Sequence, residues 1–226
     1  MNEEEELRGL LVAAGVLDPL IPRLAEYGAR LLSANRKVNL TGAKSPAELA
    51  PHLVDSLTVA PWVDGPLVDV GSGGGLPAIP LAIATGAHVT LIESTAKKVR
   101  FLEETLAALG LAGRGIAERA ETAGHDPELR GAFASGTARA VSRAATVVEL
   151  VMPFLAVGGV GAFQRGGYAP GEKASAEDAA LVLGAQVEEH VAIDGNRSLL
   201  IVRKTAVTNG RFPRRTGIPE KRPLCT

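Results

Sequence analysis

Cysteine is nearly absent: Cys225 is the only one in 226 residues, so neither an intrachain disulfide nor a cysteine-rich metal site can form. Aromatic side chains make up only 4% of the chain, so a core must be filled mainly by Leu, Val, Ala and Ile from an apolar fraction of 46%. No apolar run approaches the roughly 20 residues that span a bilayer. The opening MNEEEELRG lacks the positive flank and apolar stretch of a secretion signal. These absences predict a cytoplasmic protein with no membrane contact. The net charge of −1 gives no overall case for nucleic-acid binding. Internal repeats and low-complexity tracts are also missing. The length suits one sizeable domain, with room for a small N-terminal addition.

Charge is unevenly placed. Residues 203–226 hold seven basic residues against the single acid Glu220. Such a segment is either a solvated surface or a contact for RNA. The first thirty residues run the other way, with Glu3 to Glu6, Asp18 and Glu26 against Arg8, Arg23 and Arg30.

Hydrophobic spacing predicts three helices first. Leu7, Leu10, Leu11 and Ala14 mark one ending at Gly15, and Leu20, Leu24, Tyr27 and Leu31 mark a second. After the polar turn 35–42, Ser45, Pro46 and Glu48 form a capping box that opens a third, with Leu49, Leu53 and Leu57 buried. Beyond Trp62 the pattern alternates. Strands are expected at 67–70, 88–93, 114–117, 138–142, 159–164, 186–193 and 198–204. Helices are expected at 76–85, 96–109, 126–134, 145–156 and 173–183. Strands separated by helices imply a parallel sheet, because each crossover returns the chain to the same end. The last two strands, joined at Asp194-Gly195-Asn196, should be antiparallel.

The most informative stretch is LVDVGSGGGLPAIPLAIATGAHVTLIE at 67–93. An apolar strand enters a glycine loop, then a helix, then a second strand ending in Glu93. Gly71, Ser72, Gly73, Gly74 and Gly75 leave little side chain between backbone and ligand, and a helix from Leu76 would aim free amides at an anionic group. Glu93 falls roughly twenty residues after Gly71, where a carboxylate can accept both ribose hydroxyls. A nucleoside cofactor is implied. Counted from Gly73 the loop also reads GxGxxA, a dinucleotide pattern. Asp69 argues against a pyrophosphate: an acid at that strand end suits the ammonium and sulfonium of S-adenosylmethionine.

Several segments, in order along the chain, point further. They are Asn39-Leu40-Thr41-Gly42, His52-Leu53-Val54-Asp55-Ser56, DVGSGGGLPAIPLAI at 69–83, Lys97-Lys98-Val99-Arg100-Phe101-Leu102, Arg119-Ala120-Glu121, Ser142-Arg143-Ala144, and Phe212-Pro213-Arg214-Arg215 with Pro219-Glu220. With them the chain resembles the ribosomal RNA small-subunit methyltransferase G family, also called glucose-inhibited division protein B. The resemblance implies a class I S-adenosylmethionine-dependent methyltransferase. Its α/β fold is Rossmann-like, a mostly parallel seven-stranded sheet with a C-terminal antiparallel hairpin behind an N-terminal helical extension. It divides the chain into the extension at 1–62, a methyltransferase core at 63–205 and a basic segment at 206–226. The implied reaction moves a methyl group from S-adenosyl-L-methionine to N7 of a guanine in 16S ribosomal RNA, free or in the assembled small subunit, by a monomeric enzyme. Donor contacts map to Gly71, Leu76, Ala120, Glu121 and Arg143, joined by Asp69, Gly73, Gly75 and Glu93 from the loop reading. Two departures stand out: Pro51 replaces a basic residue before His52, and Arg165-Gly166 replaces Lys-Gly.

Guanine N7 has a lone pair and no proton to lose, so the displacement needs no general base. That fits a chain whose histidines (His52, His88, His125, His190) show no base-plus-orienter arrangement. Candidates near the reacting atoms are Arg143, Asn39, His52 and Asp55. Candidates for RNA are Lys97, Lys98, Arg100, Arg165, Arg214 and Arg215, with Phe163, Tyr168 or Arg143 to stack a base. The rival readings are a methyltransferase for a small molecule or protein, a nucleotide-dependent oxidoreductase, and a non-catalytic ligand-binding module.

Overall fold

The computed structural model describes residues 2–139, 142–195 and 197–225. Helix α1 (Glu3–Ala13) opens with a reciprocal capping box: Asn2 accepts from the Glu5 amide at 2.8 Å, and Glu5 accepts from the Asn2 amide at 3.1 Å. Four glutamates in its first turn complement the helix dipole. Helix α2 (Ile21–Asn35) buries Leu24, Tyr27 and Leu31, and α3 (Pro46–Leu57) starts from the Ser45 cap. The expected box at α3 is only half made, because Glu48 bonds the Lys44 amide rather than that of Ser45.

The sheet comprises β1 (Leu67–Val70), β2 (Val89–Ile92), β3 (Gly113–Ile116), β4 (Phe133–Arg139), β5 (Leu155–Arg165), β6 (Ala185–Asp194) and β7 (Arg197–Lys204). Their order is β3-β2-β1-β4-β5-β7-β6. The first five strands are parallel, and β7 runs antiparallel between β5 and β6. Between the strands lie α4 (Ala78–Thr85), α5 (Ala96–Ala108), the single turn α6 (Ala120–Ala123), α7 (Ala144–Val151) and α8 (Glu172–Val182). A last turn, α9 (Ile218–Lys221), closes the C-terminal segment. Among the described residues no helix is long and apolar enough to cross a membrane.

Each face of the sheet has its own apolar layer. Leu67, Val89 and Leu91 point to one face, where Leu24, Leu31, Leu49 and Leu53 of the N-terminal helices meet α4 and α5. The extension at 1–62 therefore shares a core with the sheet. Val68, Val70 and Ile92 point to the other face, under α7, α8 and Phe212. The chain winds outward from β1 in one direction and from β4 in the other. The crevice past their carboxyl ends is where open α/β sheets bind ligands.

Three expectations change. The helix at 126–134 does not form: one turn closes on Asp126, Gly131 turns with φ +66°, and β4 begins at Phe133. Arg130 explains the break, since its guanidinium bonds the carbonyls of Gly124, Thr208, Asn209 and Phe212. The strand expected at 138–142 already begins at Phe133 and is described as far as Arg139; residues 140 and 141 lie outside the described residues, as does Asn196 of the expected turn. Helix α4 starts two residues late, and its Ile79 amide already bonds the Gly75 carbonyl at 2.8 Å.

Candidate active site

The glycine loop divides into a ligand-facing part and a packing part. Gly71 follows β1 and is exposed, with its amide bonded to the Ile92 carbonyl at 2.9 Å. Gly74 and Gly75 are buried. A Cβ on Gly74 would stand 2.7 Å from a Leu31 methyl, and one on Gly75 2.5 Å from Ile79. The Tyr27 hydroxyl donates to the Gly74 carbonyl at 2.8 Å, clamping the loop from beneath. The two inner glycines thus serve close packing against α2 and α4, not the ligand.

Past the strand ends lies a cavity of about 350 Å³. Gly71 and Glu93 form one side, Ala120 and Glu121 the next, and Arg139 and Pro219 the others. Glu93 is only 8% exposed; its Oε2 accepts from the Gly73 amide at 3.2 Å and its Oε1 from the Thr95 amide at 2.8 Å. These bonds fix the carboxylate at the rim. Glu121 accepts from the Gly217 amide at 2.8 Å, so the C-terminal segment is built into the wall. Four glutamates line the cavity (Glu93, Glu118, Glu121 and Glu220) against two arginines, Arg119 and Arg139. The surplus is negative.

Of the expected donor contacts, Gly71, Glu93, Ala120 and Glu121 come together here; Asp69, Gly73, Gly75, Leu76 and Arg143 do not line the cavity. Asp69 shares the Leu67 face of β1 and is 1% exposed, hydrogen-bonded to the Thr137 hydroxyl at 2.8 Å. Burial pushes its carboxyl up from 3.8 to about 7, and Oδ2 has no partner. Leu76 is half-buried beside the loop, and Gly73 touches the site only through its bond to Glu93. Arg143 is exposed and lines a separate cavity with Glu172 and Ser175.

A second cavity, about 290 Å³, opens beside the first, and Arg139 lines both. Here His52 and Asp55, three residues apart on α3, face the end of β4. Arg139 Nη2 donates to His52 Nδ1 at 2.7 Å and lies 3.8 Å from Asp55 Oδ2. Burial and the Arg139 charge lower the His52 pKa, which keeps the ring neutral as an acceptor. Gln164 of β5 donates to both the Asp55 carbonyl and its Oδ2 at 2.8 Å, while Arg197 of β7 reaches Oδ1 at 2.9 Å. Arg139 was not legible as a site residue because the sequence pattern puts its strand at 138–142. It is the last described residue of β4, a charged side chain toward the carboxyl end of a parallel strand, as Glu93 is just past β2. Asn39 stands apart, exposed on a basic groove with Arg36, Lys37 and Lys44. Its turn is shaped by Asn35, which accepts from the amides of Leu40 and Thr41.

The expected RNA contacts separate into free and engaged side chains. Lys97 and Arg100 are exposed at the start of α5 and Lys98 is half-buried; none of the three side chains has a hydrogen bond or ion pair among the described residues. Arg215 is exposed. Arg214 is not available: it forms a fork on the fully buried carboxylate of Glu149, with Nη2 2.6 Å from Oε2. Arg165 is likewise held, by Glu172 and the Ser142 carbonyl. Phe163 is 0% exposed and cannot stack on a base, while Tyr168 lies edge-on to His190.

A model of the family described as rRNA small subunit methyltransferase G matches residues 20–201. A ribosomal RNA small subunit methyltransferase G from Pelotomaculum thermopropionicum is 37% identical over 221 residues, covering 92% of this chain and 92% of that protein. Among solved structures, a methyltransferase from Pyrococcus furiosus superposes with a TM-score of 0.55 at 14% identity, covering 80% of this chain and 100% of that one. A T. thermophilus 16S rRNA N2 methyltransferase in complex with AdoMet and guanosine gives 0.50 at 16% identity, covering 70% of this chain and 40% of that one. The two likenesses show the shared Rossmann-like fold of class I methyltransferases.

Proposed function

Since the chain belongs to the rRNA small subunit methyltransferase G family, we propose that it transfers a methyl group from S-adenosyl-L-methionine to N7 of a guanine in 16S ribosomal RNA. The observation that carries this reading is the acidic cavity at the switch point of the sheet, with Gly71 bare at one wall and Glu93 fixed at its rim. A pyrophosphate would meet four carboxylates there and gain nothing from them. A donor bearing an ammonium and a sulfonium would be attracted by them. The residues therefore fit S-adenosylmethionine better than a dinucleotide.

When bound, the donor supplies an electrophilic methyl group. Glu93 is placed to accept the ribose hydroxyls, and Gly71 lets the nucleoside lie against backbone. Ala120 and Glu121 line the same cavity and are placed to take the adenine. The protein's part in the reaction is alignment and exclusion of water, which can contribute about 7–11 kcal/mol when both reactants are held in line. No group in the site has to remove a proton, because N7 carries none.

On the RNA side, Lys97, Lys98, Arg100, Arg119 and Arg215 supply unpaired positive charge for phosphates. N7 is inaccessible in an A-form helix, so the target guanine is unpaired or splayed out when it is modified. We infer a monomer working in the cytoplasm, on either free RNA or the assembled small subunit.

Calorimetry with S-adenosylmethionine and with a nicotinamide dinucleotide tests the donor. Tighter binding of the dinucleotide removes the reading. Labelled donor incubated with small subunits and with naked 16S RNA, followed by mapping of the modified base, tests the acceptor. Label at N7 of one guanine is the expected result, and label only on a free metabolite or protein rejects it.

A further inference from the structure

The cavity beside the donor site has no role in the reading above. It lies between α3, β4, β5 and β7, and its lining includes Asp55, Arg139, Gln164, Arg197 and Leu199. At about 290 Å³ it has room for one base but not for a stretch of nucleotides. Because Arg139 lines both cavities, a base bonded to its guanidinium in the second sits at the border with the first.

The groups there follow the same order as the edge of guanine. Going round guanine from N7, the next positions are the O6 acceptor, the N1–H donor and the N2 amine donor. Going away from the donor cavity, the protein presents the Arg139 guanidinium and then, 3.8 Å on, the Asp55 carboxylate. An arginine has five N–H donors, and among the described residues two hydrogen bonds of Arg139, both to His52, use them. Asp55 accepts one bond on Oδ1 from Arg197 and one on Oδ2 from Gln164, so each oxygen keeps a lone pair. The Gln164 amide is oriented without ambiguity, since both its partners on Asp55 are acceptors.

Resting on the N7 reading, the geometry points to this cavity as the acceptor-base pocket, with Arg139 donating to O6 and Asp55 accepting from N1–H and the N2 amine. N7 is then left free and turned toward the donor. In the transfer, the N7 lone pair forms the N–C bond, the C–S bond breaks, and its electron pair stays on sulfur. The base becomes cationic. That charge makes N1–H a stronger donor, so its bond to Asp55 tightens as the transition state forms, which is the kind of interaction that raises rate rather than affinity. Adenine is excluded by the same two groups. Its N6 amine would face the Arg139 donors, and its N1 lone pair would face the Asp55 carboxylate. His52 and Gln164 are positioning residues, one holding Arg139 and the other Asp55.

The test uses the full chain and small-subunit RNA whose methylated guanine has been mapped, with that guanine replaced by inosine, which lacks only the N2 amine. Wild-type kcat/KM is expected to fall about tenfold or more on the inosine RNA. Asp55→Asn should lose about a hundredfold or more on guanine RNA. Its calorimetric affinity for S-adenosylmethionine should be unchanged, and its residual rate should no longer distinguish inosine from guanine. Inosine RNA methylated by the wild type at the guanine rate overturns the pocket, as does full activity in Asp55→Asn. If Asp55→Asn fails to fold, the wild-type comparison alone decides. A wild-type enzyme that methylates no small-subunit RNA would instead fail the N7 reading itself, and the pocket with it.

Discussion

Two stretches of the chain are dense in positive charge and use it in opposite ways. The segment from β7 to α9 looks, by composition, like a surface for RNA, yet three of its seven basic residues are engaged by the fold, while Arg211, Arg215, Lys221 and Arg222 stay exposed. Arg214 holds the buried Glu149, Arg203 pairs with Glu188, and Lys204 is buried against the Met152 carbonyl. The start of α5 carries only Lys97, Lys98 and Arg100, against the helix dipole and with no partner among the described residues. Net charge counts both kinds alike. Burial and pairing separate charge that holds the fold from charge left for a ligand.

The comparison breaks most visibly at Arg214. Arg214→Ala would remove the guanidinium fork and leave the buried Glu149 carboxylate with only the residue-214 backbone amide as donor, a loss of about 3 kcal/mol. Denaturant melts should show it, together with weakened donor binding, because the segment it anchors forms part of the cavity wall. Unchanged stability would mean that this charge is not structural after all.

Among the acids the same contrast separates Asp69 from Glu93. Asp69 titrates near 7 when folded and near 3.8 in a model peptide, so between those values the folded state binds more protons than the unfolded one. Stability must fall as pH rises through that window, by about 3 kcal/mol between pH 5 and pH 8 relative to Asp69→Asn. Parallel melts of the two proteins at both pH values check this. Equal pH dependence would show that Asp69 stays ionised.

Glu93 faces a ligand rather than the core, so Glu93→Gln should weaken S-adenosylmethionine binding by about tenfold or more through a lost charge-assisted bond to ribose. Calorimetry reads this directly. The smallest stability effect belongs to Lys97→Ala with Lys98→Ala, within about 0.5 kcal/mol. The same pair should lower RNA affinity and flatten its log–log salt dependence by about 1.5. A stable double mutant with unaltered salt dependence would remove α5 from the RNA surface.

What could be read from the sequence was what sequence neighbours determine. Gly71, Glu93 and the Ala120-Glu121 pair lie at strand ends within short motifs, and the cavity gathers all four. The mostly parallel sheet and the closing hairpin followed from alternation and from one tight turn. What escaped depends on distant partners. The packing role of Gly74 rests on Tyr27, and the failure of the helix at 126–134 rests on Arg130 and residues 208–212. Asp69 stands outside the cavity lining for a geometric reason: alternation turns it to the Leu67 face, into the core. Arg139 was passed over because it was read as an early residue of a strand at 138–142, whereas β4 begins at Phe133 and carries it near the carboxyl end.

The bond from the Gly217 amide to Glu121 has a consequence in time. Synthesis runs from the N terminus, so Gly71, Glu93 and Arg139 leave the ribosome long before Gly217 and Pro219. A half-made chain can pair its parallel strands and still lack one side of the donor chamber. That side is complete only when residues 217–220 have docked.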